Sequence, residues 1–134
     1  MKRTDTAHGP QALIAIVDDE ESVREALQSL LKSMGLKAEG FASAEEFLQS
    51  ARLPDTACII LDVRMPGMGG LELQRQLTAD QRRIPLIFIT AHGDEATRAR
   101  ALQAGAVDFL TKPFSEEALL TAVQSALERG QDVA

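Results

Sequence analysis

The chain has 134 residues, is 45% hydrophobic and carries a formal net charge of −6, the length and apolar content of one domain with its own core. No apolar run approaches the eighteen or so residues of a membrane span, and the opening "MKRTDTAHGP" is too polar for a signal peptide. The acidic balance, the lack of a basic cluster and an aromatic set of five Phe with no Trp or Tyr argue against nucleic-acid binding. We expect a cytoplasmic protein with a lead-in over 1–10, one domain over 11–130 and a short tail over 131–134.

Apolar runs alternate with helical patterns five times along the chain. "ALIAIV" (12–17) is an uninterrupted strand run, and it leads straight into "DDEE". Asp18 and Glu21 have the spacing of a capping box, with Asp18 as N-cap, and acids here also suit the positive end of a helix. Val23, Ala26, Leu27, Leu30, Leu31 and Met34 stripe the first helix, which Gly35 stops. "LKAEGF" (36–41) mixes polar and apolar residues like an edge strand, and "SAEE" (43–46) opens the second helix with a capping box.

"ACIIL" (57–61) is the third strand, in which Cys58 reads as a small buried hydrophobe. As the sole cysteine, it also excludes an internal disulfide and a multi-cysteine metal site. Leu73 and Leu77 stripe the third helix, and "PLIFI" (85–89) is the fourth strand. The fourth helix, near 94–104, offers little beyond Ala96, Ala99, Ala101, Leu102 and Ala104, so it should be the least firmly held. "VDFLTK" (107–112) is the fifth strand. Leu119, Ala122, Val123, Ala126 and Leu127 stripe the last helix, with Gly130 beyond it.

Five βα units in this length predict an α/β, flavodoxin-like doubly wound sandwich. The three uninterrupted runs belong at the centre of a parallel sheet, which gives strand order 2-1-3-4-5 with five helices. In that order a ligand site lies beyond the carboxyl ends of the first and third strands.

Several strand ends deliver chemistry to that edge. Asp18 and Asp19 follow the first strand, Asp62 ends the third, Thr90 the fourth and Lys112 the fifth. Each has an ordinary alternative: Asp62 as a turn residue in "DVRMPGMGG", Thr90 as a helix cap, Lys112 as a surface cation. Their convergence on one edge favours a site. Three close carboxylates call for a hard cation such as Mg²⁺, with Mn²⁺ able to substitute. With an ammonium and a hydroxyl nearby, the chemistry suited to the set is phosphoryl transfer to a carboxylate.

The stretches "IVDDEESVREAL", "LDVRMPGMGGLEL", "IFITAHGD" and "AGAVDFLTKPF" resemble the receiver domain of two-component response regulators over residues 12 to 130. The last two, with "SAEEFL", are most similar to receivers of FixJ-type transcription regulators. The resemblance implies that Asp62 is the phosphoacceptor, served by a sensor histidine kinase. It implies that Asp19, Asp62 and the backbone carbonyl of Arg64 ligate Mg²⁺, with Asp18 acting mainly through water. Thr90 and Lys112 would contact phosphoryl oxygens, and Phe109 would be the switch aromatic. Arg64, Ala91 and His92 would tune the lifetime of the phosphate, and the Lys112–Pro113 bond would be cis.

Such a domain is a regulator that assists its own phosphorylation and slow dephosphorylation, not an enzyme in the usual sense. Its output is open: a single-domain regulator acting on a partner, or the receiver of a longer transcription factor that pairs through the helix four and strand five face. An aspartyl phosphatase would share the carboxylates but wants an acid where Arg64 stands. A nucleotide- or flavin-binding domain would show a Gly-rich loop after the first strand, in place of "DDEE". A receiver locked in one state as an interaction module remains a third alternative.

Overall fold

The computed structural model describes residues 12–91 and 93–132, so the predicted lead-in and His92 lie outside the described residues. Five strands, β1 (Leu13–Val17), β2 (Ala38–Phe41), β3 (Thr56–Asp62), β4 (Leu86–Thr90) and β5 (Asp108–Thr111), form one parallel sheet in order β2-β1-β3-β4-β5. Helices α1 (Glu21–Ser33), α2 (Ala44–Leu48), α3 (Gly70–Ala79) and α4 (Glu95–Gln103) make the four crossovers, and α5 (Glu116–Asp132) follows the last strand. A 3-10 turn, Leu53–Asp55, leads into β3. The predicted architecture and strand order are those observed.

Alternation along each strand divides the core in two. Ile14, Ile16, Cys58, Ile60, Ile87 and Ile89 pack with Leu27 and Leu31 of α1 and Leu119, Ala122 and Val123 of α5. Ala15, Val17, Ile59, Leu61 and Phe88 pack on the other face with Phe47 of α2, Leu73 and Leu77 of α3 and Ala101 of α4. Cys58 is fully buried, and burial pushes its thiol up to about 12, so it packs as a hydrophobe and is unreactive at neutral pH.

Ser43 caps α2 by accepting the Glu46 N–H at 3.0 Å, while the Glu46 carboxylate reaches back to the Ala42 N–H at 2.8 Å. The box predicted at Asp18 does not form. Helix α1 begins at Glu21 with Glu20 as N-cap and no side-chain cap. Asp18 Oδ1 instead accepts the Glu20 N–H at 2.9 Å, because its carboxylate is turned into the cleft toward Lys112. Gly130 does not end α5, which continues to Asp132. One glycine costs a helix only about 1 kcal/mol, too little to terminate a helix whose apolar stripe is docked.

Helix α4 matches the expectation of a thin apolar face, with Ala101 its one buried residue. Its start is fixed by Asp94, which accepts the Thr97 N–H at 2.7 Å, and that bond holds the Asp94 carboxyl below its usual range. Thr90 is therefore not the cap of this helix.

Gly70, the first residue of α3, is required by packing. A Cβ there would fall inside contact distance of the Asp62 carbonyl oxygen and 3.0 Å from Cε1 of Phe88, and neither neighbour can swing away. Gly70→Ala should cost about 1–3 kcal/mol and lower the urea midpoint of the circular-dichroism transition. An unchanged midpoint would show that α3 can shift without disturbing β3.

Candidate functional site

The sheet order puts the carboxyl ends of β1 and β3 side by side, with α1 and α3 leaving from them. At this edge one oxygen from each of Asp18, Asp19 and Asp62 lies within 4.8 Å of the others. Asp18 is 1% exposed and Asp62 7%, whereas Asp19 faces solvent. The set joins two carboxylates in the protein wall to one at the water boundary.

Lys112 follows β5 directly, and its peptide bond to Pro113 is cis, as predicted. Its Nζ stands 3.2 Å from Asp18 Oδ2, 3.4 Å from Glu20 Oε1 and 3.6 Å from Asp62 Oδ2. Burial alone would lower the Lys112 ammonium, but Asp18, Asp62 and Glu20 together hold it above its usual range. Asp18 is raised as well, which for an acid disfavours the charged form. Burial raises its carboxyl, and the Glu20 N–H and Lys112 only partly offset that.

Thr90 ends β4 at 1% exposure, and its carbonyl accepts the Lys112 N–H at 2.8 Å, tying the tips of β4 and β5 together. Phe109 is turned inward, 4% exposed, with its ring centroid 6.1 Å from that of Phe88. Gly93 fits closely between these groups. A Cβ on it would lie 2.8 Å from Phe109 Cε1 and 3.3 Å from Thr90 Cγ2. Thr90, the loop before α4 and Phe109 thus share one packing contact. Arg64 and Ala91 are exposed beside the cleft.

Several residues in and around the site had not been given these roles. Arg24, one turn into α1, donates from Nη1 to the Asp18 carbonyl at 2.7 Å; Gly40 of β2 leaves room for its stem, since a Cβ there would lie 3.0 Å from Arg24 Cδ. Glu20, read as serving the helix end, is instead a partner of Lys112. Glu45 of α2 accepts the Met68 N–H and Glu72 the Gly69 N–H, each at 2.9 Å, and the Gly70 N–H closes on the Val63 carbonyl. These bonds shape the loop that leaves Asp62. A base four residues after Glu20 was the available signal for Arg24; nothing local pointed to Glu45.

The chemistry open to this arrangement is narrow. A carboxylate ion needs no base to act as a nucleophile, Asp62 is reachable from solvent, and an ammonium stands close enough to share an incoming anion. The neighbouring acids supply the hard oxygen donors that a divalent ion needs.

Comparison with known proteins agrees with this fold. The family model described as "Response regulator receiver domain" matches residues 14–124. The response regulator protein TodT of Pseudomonas putida is 51% identical over 117 residues, covering 87% of this chain and 52% of that protein. The chain thus spans about half the length of the curated relatives it matches. Among solved structures, the response regulator StyR is 49% identical with a TM-score of 0.84, covering 90% of this chain and 61% of that one. FixJ-N is 41% identical with a TM-score of 0.78, covering 87% and 94%.

The electrostatics give a test with a definite sign. Asp18 is raised in the fold, so its ionised form weakens the ion-free protein and protonation relieves that. Asp18→Asn should therefore be more stable than the parent in EDTA at neutral pH. The gap should close as pH falls through the raised pKa of Asp18 toward the ordinary value of 3.8. Lys112→Met, which leaves the carboxylates facing one another, should lose about 1–3 kcal/mol. Urea titrations across pH check both, and a less stable Asp18→Asn would reverse the assignment.

Proposed function

This chain belongs to the response regulator receiver family, and on that premise we propose that Asp62 accepts a phosphoryl group from a phosphohistidine of a sensor histidine kinase. The observation that carries the reading is the placing of Asp62: 7% exposed at the end of β3, 3.6 Å from Lys112 and within one cluster with Asp18 and Asp19. An Asp62 carboxylate oxygen forms the new O–P bond. The P–N bond of the donor breaks, and its electron pair leaves on the imidazole nitrogen.

The donor set fits Mg²⁺ or Mn²⁺, since it is all oxygen and one carboxylate lies at the water boundary. Asp19, Asp62 and the Arg64 carbonyl would hold the ion, with Asp18 acting through water. Bound there, the ion supplies charge neutralisation for the transferring group. Lys112 receives one phosphoryl oxygen and the Thr90 hydroxyl another. Arg64 and Ala91 border the site and, together with His92, set how quickly water removes the phosphoryl group again.

The switch follows from the contact shared by Thr90, Gly93 and Phe109. Drawing Thr90 toward the phosphoryl group alters the space that Phe109 fills and biases the loop before α4, α4 itself and β5. The output is transcription, through an effector domain outside this chain or a protein partner, with pairing through the α4–β5 face. The protein works in the cytoplasm and turns over no released substrate of its own.

Intact mass after incubation with a small phosphodonor tests the first step. The expected result is a gain of one phosphoryl group that needs Mg²⁺, is blocked by EDTA and is absent in Asp62→Asn. A gain that survives in Asp62→Asn would move the acceptor elsewhere. Hydrogen exchange tests the second step: α4 should be less protected than α1 and should change on phosphorylation. Equal protection with no change would place the switch outside α4.

A further inference from the structure

The acidic edge of the sheet has a basic counterpart at its opposite end. A groove of about 620 Å³ is bounded by the end of α3, the entry to β4, the α4–β5 turn and the last turns of α5. Three arginines line it: Arg82, Arg83 and Arg129. Among the described residues none of them has a carboxylate within ion-pair distance. In a chain of net charge −6, three uncompensated guanidinium groups around one groove make a local field of the opposite sign. Arg129 is also oriented in advance, because its Nη1 donates to the Gly105 carbonyl at 3.1 Å.

A second observation concerns Gln74, which lines the same groove at 4% exposure. Its Nε2 donates to the Ala101 carbonyl at 3.1 Å, and that acceptor fixes which end of the amide is nitrogen. The Oε1 is then left without a protein donor among the described residues. A buried amide oxygen of this kind wants an N–H or O–H from whatever enters. Ile84 and Pro85 add a half-buried apolar wall.

We propose that this groove binds a nucleoside diphosphate whose base carries an exocyclic amino group. Three guanidinium groups call for a compact polyanion, and phosphates meet their forked N–H geometry better than a single carboxylate does. The exocyclic amino group of the base supplies the donor that Gln74 Oε1 lacks, and the ring lies on Ile84 and Pro85. The site is independent of Asp62, from which it is separated by the length of the sheet.

The test uses ADP, adenosine and inorganic pyrophosphate with the intact chain, read by ¹⁵N–¹H shifts and calorimetry. ADP should move the amides of Arg82, Arg83, Gly105 and Arg129. Adenosine should bind at least about tenfold more weakly, the loss of one charge-assisted contact. Arg82→Glu with Arg83→Glu should weaken ADP by at least the same factor, while phosphorylation at Asp62 is unchanged. Gln74→Leu should weaken ADP but leave pyrophosphate as it was, which separates base recognition from charge. The proposal is overturned if millimolar ADP moves none of these amides. It is equally overturned if the charge-reversal pair, shown to be folded by circular dichroism, binds ADP like the parent. Binding of pyrophosphate as tight as ADP, unaffected by Gln74→Leu, would reduce the groove to a phosphate site and remove the nucleoside.

Discussion

One ammonium lets the carboxyl edge of this sheet exist. Asp18 and Asp62 are almost out of water, they face each other, and Asp19 and Glu20 add further negative charge at the same rim. Without a cation this arrangement would be resolved by protonation or by splaying the strands. Lys112 reaches three of those carboxylates within 3.6 Å, coming from the far strand of the sheet and, for Asp18 and Glu20, from more than ninety residues along the chain. Every other feature of the site is arranged around that contact.

The contact in turn depends on backbone placement. The order β2-β1-β3-β4-β5 puts β1 and β3 side by side, so Asp18 and Asp62 meet, and puts β5 two strands from β3 and three from β1, so that Lys112 reaches back past the end of β4. Small residues allow the close approaches this requires. Gly70 lets α3 start against the Asp62 carbonyl, Gly40 lets Arg24 lie flat to reach the Asp18 carbonyl, and Gly93 admits the Phe109 ring. The loop after Asp62 is held by Glu45 and Glu72, which accept two successive backbone N–H groups. The Asp62 carboxylate is thus fixed on both sides, while its surroundings keep one edge open to water.

Much of this was legible in the sequence because strong local signals agreed. Unbroken apolar runs of β1, β3 and β4 mark interior parallel strands, and the chemical residues at their ends then share an edge by topology alone. The failures came where a local rule met a tertiary demand. Asp18 has the spacing of a helix cap, yet the electrostatic pull of Lys112 claims its carboxylate and leaves α1 without a side-chain cap. Gly130 looks like a stop, yet docking of the α5 stripe outweighs the small helical cost of one glycine. Glu20 and Glu45 act through single long-range bonds, which leave no periodic trace in the chain.

Because Lys112 holds the acidic edge together, it cannot take on an added anion without consequence elsewhere. A phosphoryl group on Asp62, as proposed, brings new oxygens into competition with Asp18 and Glu20 for the same three donors. Each donor diverted relaxes a tie between β5 and the start of α1. The backbone N–H of the same residue is bonded to Thr90, so a shift of Lys112 also bears on the tip of β4. Thr90 packs beside Gly93 and through it against Phe109. From Asp62 the change therefore passes by direct contacts to the β4–α4 loop and to the edge strand. Both border α4, the helix with the least buried apolar surface to resist displacement.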